Sequence, residues 1–115
     1  MAYELITGDY IAADPERIAP LRRVFQAIDP QVFAAACRAL ARLDLGDDLP
    51  RIHHPTLVVV GEHDAATGPS LGAELARALP RGEIVVLPGA GHVPHMQAPD
   101  AFIAAIAPFL ALEAR

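Results

Sequence analysis

Two short β-branched runs, TLVVVG (56–61) and EIVVLPG (83–89), stand either side of a segment whose leucines recur at helical spacing. This alternation restricts the fold more than any other feature of the chain. Each run is apolar at successive positions rather than alternate ones and is bounded by Pro or Gly, as expected of a strand covered on both faces. Between them, Leu71, Leu75, Ala78 and Leu79 mark a helix that Pro80 ends. Strand, helix, strand in this order predicts a βαβ unit with parallel strands and a right-handed crossover. A last helix from Pro99 carries Phe102, Ile103, Ile106, Phe109 and Leu110 on a broad apolar face, and Pro108 should bend it by removing a backbone donor. Two strands leave ladder groups unpaired, so the unit is expected to lack a neighbouring strand along one edge.

Upstream of LDLGDDLPRIHHP (43–55), where Gly, Asp and Pro cluster, the pattern is helical only. Asp14 followed by Pro15 is an N-cap with proline in the first turn, and Ile18, Leu21, Phe25 and Ile28 follow on one stripe. The same start signal recurs at Asp29 and Pro30, with Phe33, Cys37 and Leu40 behind it. The 115 residues fit one domain, and with 53% hydrophobic but only 5% aromatic residues its core must be built from Ala, Leu, Ile and Val. Nine basic against fourteen acidic residues, with no basic run, argue against a nucleic-acid partner. One cysteine cannot form an internal disulfide, and the N-terminus has neither a basic start nor an apolar signal core. No apolar run approaches membrane-spanning length, so a cytoplasmic location without a membrane partner is expected.

Asp64, in GEHDAAT, follows the first strand, and His92, in GAGHVPH, follows the second. Loops at the carboxyl ends of adjacent parallel strands converge on one rim, so these two side chains should face each other. A carboxylate bonded to imidazole Nδ1 fixes the tautomer and leaves Nε2 free to accept a proton from a nucleophile. Gly89 and Gly91 let the chain turn sharply around the histidine. The alternative is a polar strand-end loop, in which Asp and His serve the turn alone.

The only serine, Ser70, sits in GPSLG, a literal G-x-S-x-G. A nucleophile elbow needs a strand running straight into the turn and a serine that precedes the acid. Ser70 instead follows Asp64 and stands beside Pro69, so it is assigned to the first turn of a helix with Thr67 as a candidate N-cap. Cys37 does precede Asp64 and His92, yet it lies on an apolar helical stripe and is expected to be a buried packing thiol. His53, His54, His63, His92 and His95 are too scattered for a metal site, and no metal or cofactor is expected.

The run 55–110, PTLVVVGEHDAAT through GAGHVPHMQAPDAFIAAIAPFL, resembles the C-terminal part of an α/β-hydrolase and covers about half of the chain. The upstream segment ADPERIAPLRRVFQAIDPQVFAAACRALARLDLGDDLPRI resembles part of the helical cap of that family, most like its 3-oxoadipate enol-lactonase and carboxylesterase-like branch. This resemblance implies an α/β fold, a C-terminal βαβα portion of a parallel sheet preceded by cap-type helices. Residues 1–44 would be a partial cap and residues 45–115 the segment carrying the acid and histidine loops. Asp64 would match the triad acid and His92 the triad base, acting without a cofactor on a small carboxylic ester or lactone. In the family the oxyanion loop and the nucleophile elbow lie upstream of the cap, on strands not found here. The chain is therefore expected to be a C-terminal fragment, inactive alone. Tyr3, Tyr10 and Phe33 are candidates to line the substrate pocket, against the commoner fate of core packing. The open sheet edge would serve for self-association or for pairing with an N-terminal half.

Overall fold

In the computed structural model, which describes residues 8–113, the two apolar runs pair as parallel strands β1 (Thr56–Gly61) and β2 (Gly82–Leu87). Their register runs from Thr56 opposite Gly82 to Gly61 opposite Leu87. Among the described residues these are the only strands, so each has one unpaired edge. β2 stops two residues short of the span read from sequence, because Pro88 has no N–H for the ladder and Gly89 turns the chain away at φ +69°.

Helices lie on both faces of this pair, which accounts for the unbroken apolar runs. Val58 and Val60 look toward Leu71, Gly72 and Leu75 of the crossover helix, and Leu57 and Val59 look toward Phe102, Ile106 and Phe109 of the last one. The result is a three-layer α/β/α arrangement. The buried core is small: Val60, Ala76, Leu79, Leu87, Ala90 and Ile18. Both grooves beside the sheet stay open, with Leu71 52%, Ile103 59% and Leu110 57% exposed.

In chain order the helices are α1 (Gly8–Ala13), α2 (Ala19–Ala27), α3 (Pro30–Leu40), α4 (Pro69–Ala78), α5 (Pro94–Gln97) and α6 (Pro99–Glu113). α1 and α5 are too short to show a period, and sequence patterning does not reveal them. Asp14 caps as expected, accepting from Glu16 N–H at 3.1 Å, but the turn it starts is a 3-10 turn (Pro15–Ile18) that runs directly into α2. Asp29 Oδ1 accepts from Gln31 N–H at 2.7 Å and from Val32 N–H at 3.4 Å, starting α3. Only Ile28 and Asp29, both extended, separate α2 from α3, and the resulting elbow holds a pocket of about 220 Å³ lined by Phe25, Ile28, Pro30 and Phe33.

Cys37 is exposed rather than buried. Periodicity places it on an apolar stripe, but Phe33 and Leu40 on that stripe are exposed too, so nothing among the described residues covers it. α6 continues through Pro108. Tyr10 ties α1 to the histidine side of the molecule: its hydroxyl donates to the Met96 carbonyl of α5 at 3.2 Å while Arg17 lies 5.5 Å from its ring centroid. Tyr10 is therefore engaged at the end of the histidine loop, Phe33 lines the α2–α3 elbow, and Tyr3 lies outside the described residues.

Candidate active site

The site is assembled where both strands end. Beyond β1, Glu62 N–H still bonds Leu87 O at 3.0 Å and His63 N–H bonds Ala90 O at 2.8 Å, so the two strand-end loops remain laced together past the ladder. Asp64 N–H then turns back onto Gly61 O at 3.2 Å. This lacing carries Asp64 and His92, twenty-eight positions apart, into contact.

His92 Nδ1 lies 3.1 Å from Asp64 Oδ1 and 3.0 Å from Oδ2, so the ring nitrogen faces both carboxylate oxygens. Oδ1 also accepts from the backbone N–H groups of Ala66 and Thr67, both at 2.9 Å, and Oδ2 accepts from the Thr67 hydroxyl at 3.0 Å. Burial pushes the Asp64 carboxyl up, but the bonds from Thr67 N–H, the His92 ring, Ala66 N–H and the Thr67 hydroxyl together outweigh it and hold the group down at about 2. The carboxylate is thus ionised at neutral pH and can only accept. For Nδ1 to approach an acceptor so closely it must carry the proton, which leaves the Nε2 lone pair available in the neutral ring. The Asp64 side chain is only 4% exposed whereas that of His92 is 35% exposed. The acid is covered and the base remains accessible.

The histidine loop is tied down by side chains that sequence reasoning does not single out. Glu62 Oε2 accepts from Gly89 N–H at 2.9 Å, and Gln97 Oε1 accepts from Gly91 N–H at 3.0 Å. Glu62 carries no signal beyond its place beside the strand end; Gln97 is a polar residue on a short helix that sequence patterning itself does not reveal. Thr67 is not the N-cap expected of it: the N-cap of α4 is Gly68, and the Thr67 hydroxyl is spent on Asp64. Its spacing of three from an aspartate is the signal for such a local bond.

Ser70 stands in the first turn of α4 and is exposed, in line with its assignment to a helix start. The glycines that complete its G-x-S-x-G pattern have separate steric reasons: a Cβ at Gly68 would sit 2.4 Å from Asp64 O, and one at Gly72 would sit 2.7 Å from Val60 Cγ1. His53, His54 and His63 are exposed and His95 stacks edge-on against Phe102. Among the described residues no three His, Cys, Asp or Glu side chains gather as a metal site, and no helix is long and apolar enough to cross a membrane.

Residues 3–105 match the family model described as the alpha/beta hydrolase family. A pimeloyl-[acyl-carrier protein] methyl ester esterase from Nitrosospira multiformis is 34% identical over 83 residues, 72% of this chain and 32% of the relative. A putative carbamate hydrolase from a Caulobacter species is 30% identical over 112 residues, 96% of this chain and 42% of the relative. Among solved structures, the enol-lactonase from Burkholderia xenovorans LB400 superposes with a TM-score of 0.88 at 35% identity, covering 94% of this chain and 41% of that one. The chain spans well under half the length of these relatives.

Proposed function

Because the chain belongs to the alpha/beta hydrolase family, we propose that Asp64 and His92 are the acid and base of a Ser-His-Asp hydrolase acting on a carboxylic ester or lactone, with the serine supplied by polypeptide outside these 115 residues. The observation that carries this is the double contact of His92 Nδ1 with a buried carboxylate whose every other bond is accepted from a donor. That arrangement stabilises positive charge on the ring and presents Nε2 as the proton acceptor.

In the reaction, Nε2 takes the serine proton as the oxygen attacks the carbonyl carbon, and the imidazolium then protonates the leaving alkoxide as the tetrahedral intermediate collapses. Asp64 stays ionised throughout and stabilises the imidazolium. Ser70 does not fill the nucleophile's place, since it stands at a helix start after the acid; Cys37 lies on α3, with no strand leading into it. In this proposal residues 1–44 are the partial cap and 45–115 the acid- and histidine-bearing segment, active only when joined by a segment that brings the nucleophile and oxyanion donors. Similarity to an ester hydrolase and to an enol-lactonase supports the substrate class.

Hydrolysis of a chromogenic ester and of an enol-lactone should be measured for the 115-residue chain alone and mixed with the upstream half of a related enzyme. The chain alone should be inactive, and any activity gained on mixing should vanish in His92→Ala. Hydrolysis by the chain alone that persists in His92→Ala overturns the proposal.

A second proposal concerns association, and it is favoured by the open grooves on both sheet faces and the unpaired strand edges. It holds that the chain is a non-catalytic module that self-associates or pairs through these surfaces. Sedimentation at working concentration tests it, and a well-folded monomer counts against it.

A further inference from the structure

Thr67 touches both members of the pair. Its Oγ1 is 3.0 Å from Asp64 Oδ2 and 3.3 Å from His92 Nδ1, so hydroxyl, carboxylate oxygen and ring nitrogen form a closed triangle with the 3.0 Å His92–Oδ2 contact as its third side. A hydroxyl has one proton to give, and its direction is decided by what faces it. Asp64 is ionised, so Oδ2 attracts that proton, and the oxygen lone pairs are left pointing toward Nδ1. In the Nδ1–H tautomer the ring proton meets three acceptors: Oδ1, Oδ2 and the Thr67 oxygen. In the Nε2–H tautomer the Nδ1 lone pair would face the same three acceptors, with the hydroxyl able to relieve it only by deserting Oδ2.

The hydroxyl has a second effect. The backbone N–H groups of Ala66 and Thr67 hold Oδ1, so among the described residues only the Thr67 hydroxyl and the histidine itself hold Oδ2. With the hydroxyl in place both oxygens are held and the carboxylate plane cannot swing about its Cβ–Cγ bond.

We infer that Thr67 is a positioning residue for the pair: its hydroxyl pins Asp64 Oδ2 and thereby holds His92 in the Nδ1–H tautomer, with Nε2 as the free base. This rests on the assignment of Asp64 and His92 as acid and base, and it adds the residue that sets the state in which the base waits.

The test is two-bond ¹H–¹⁵N correlation of the imidazole rings in the uniformly labelled 115-residue chain, with His92 assigned by its loss in His92→Gln and measured at a pH where the ring is neutral. The wild-type ring should show the Nδ1–H pattern. Thr67→Val keeps the shape and removes the hydroxyl, and Thr67→Ala removes it without requiring the second methyl to fit. In both, the Nε2–H share should rise several-fold, while Thr67→Ser should restore the wild-type pattern. Equal patterns in wild type, Thr67→Val and Thr67→Ala overturn the inference, and so does a Thr67→Ser ring that shifts as the valine variant does. The reading needs no turnover, so the two proposals fail separately. A ring that answers to Thr67 in a chain whose hydrolysis persists in His92→Ala leaves the tautomer assignment standing and removes the hydrolase one. Hydrolysis gained on mixing and lost in His92→Ala, beside an indifferent ring, does the reverse.

Discussion

Gly61 closes β1 at the point where the histidine loop passes over it, and Gly61→Ala tests how rigidly that crossing is built. A Cβ at position 61 would lie 2.2 Å from Gly91 O, 2.4 Å from Ala90 O and 2.6 Å from Ala90 C. Comfortable contact for such atoms begins above about 3 Å, so the loop must retreat by roughly 1 Å. The obstacles are backbone atoms, which cannot rotate aside as a side chain would. The same Ala90 oxygen accepts from His63 N–H at 2.8 Å, and a retreat stretches that bond as well. Overpacking of this kind costs about 1–3 kcal/mol, the strained hydrogen bond about 1 more, and the lower chain entropy of alanine in the unfolded state returns about 0.5–1. The expected net loss is about 2 kcal/mol.

Gly82→Ala is the matched control. Its Cβ would lie 2.2 Å from Ala76 O and 2.9 Å from Leu79 Cβ, an equally close approach to a backbone carbonyl at the opposite end of the sheet. Urea unfolding followed by circular dichroism should show both midpoints lowered by more than about 1 M. Only Gly61→Ala should also move the His92 ring resonances, because only there does the retreating loop carry the histidine away from Asp64. A wild-type midpoint for Gly61→Ala refutes the steric argument. Equal disturbance of His92 by both variants refutes the claim that the crossing at Gly61 sets the pair.

The neighbouring Gly89 sits at φ +69°, and a Cβ placed there would meet open space, so Gly89→Ala should cost about 1–2 kcal/mol from backbone conformation alone and Gly89→Asn should recover part of it, as thermal or urea unfolding would show. For Asp64, the folded carboxyl at about 2 lies below its usual 3.8, so its contribution is complete above the unfolded value and is lost as pH falls through the folded one. The stability gap between wild type and Asp64→Asn should therefore shrink by about 2 kcal/mol between neutrality and about pH 2, and a gap independent of pH would contradict the bonding described for this carboxylate.

What sequence can and cannot disclose divides along physical lines. β1 is legible to the residue because Pro55 and Gly61 bracket a run that has no helical use, and α3 is legible because Asp29 and Pro30 form a complete start signal. That Asp64 and His92 face each other follows from parallel topology alone, and the structure brings them to 3.0 Å. Cys37 shows the limit of periodicity, which tells which face of a helix is apolar but not whether another element covers it. Thr67 shows a second limit. A threonine before Gly-Pro can bond a backbone donor or an aspartate three residues earlier, and only the fold of the loop decides between them. Glu62 and Gln97 accept from backbone N–H groups of a loop remote in sequence or masked by a short helix, and no local pattern encodes such bonds.

Among the described residues, the bonds that hold the Asp64 carboxylate come from residues 66, 67 and 92. The histidine loop is held by Glu62 and Gln97, which accept from Gly89 and Gly91 N–H, and by His63 N–H, which donates to the Ala90 carbonyl. The apolar surfaces of α2 and α3 stay open, and the Tyr10 hydroxyl of α1 reaches the Met96 carbonyl rather than either site residue. The bonds just named between acid and base therefore lie within one βαβ unit and the loop and short helix α5 that follow it, while the surfaces around them stay open. Local polar satisfaction fixes the site, and burial of the two open grooves, whatever covers them, would add stability without having to create the pair.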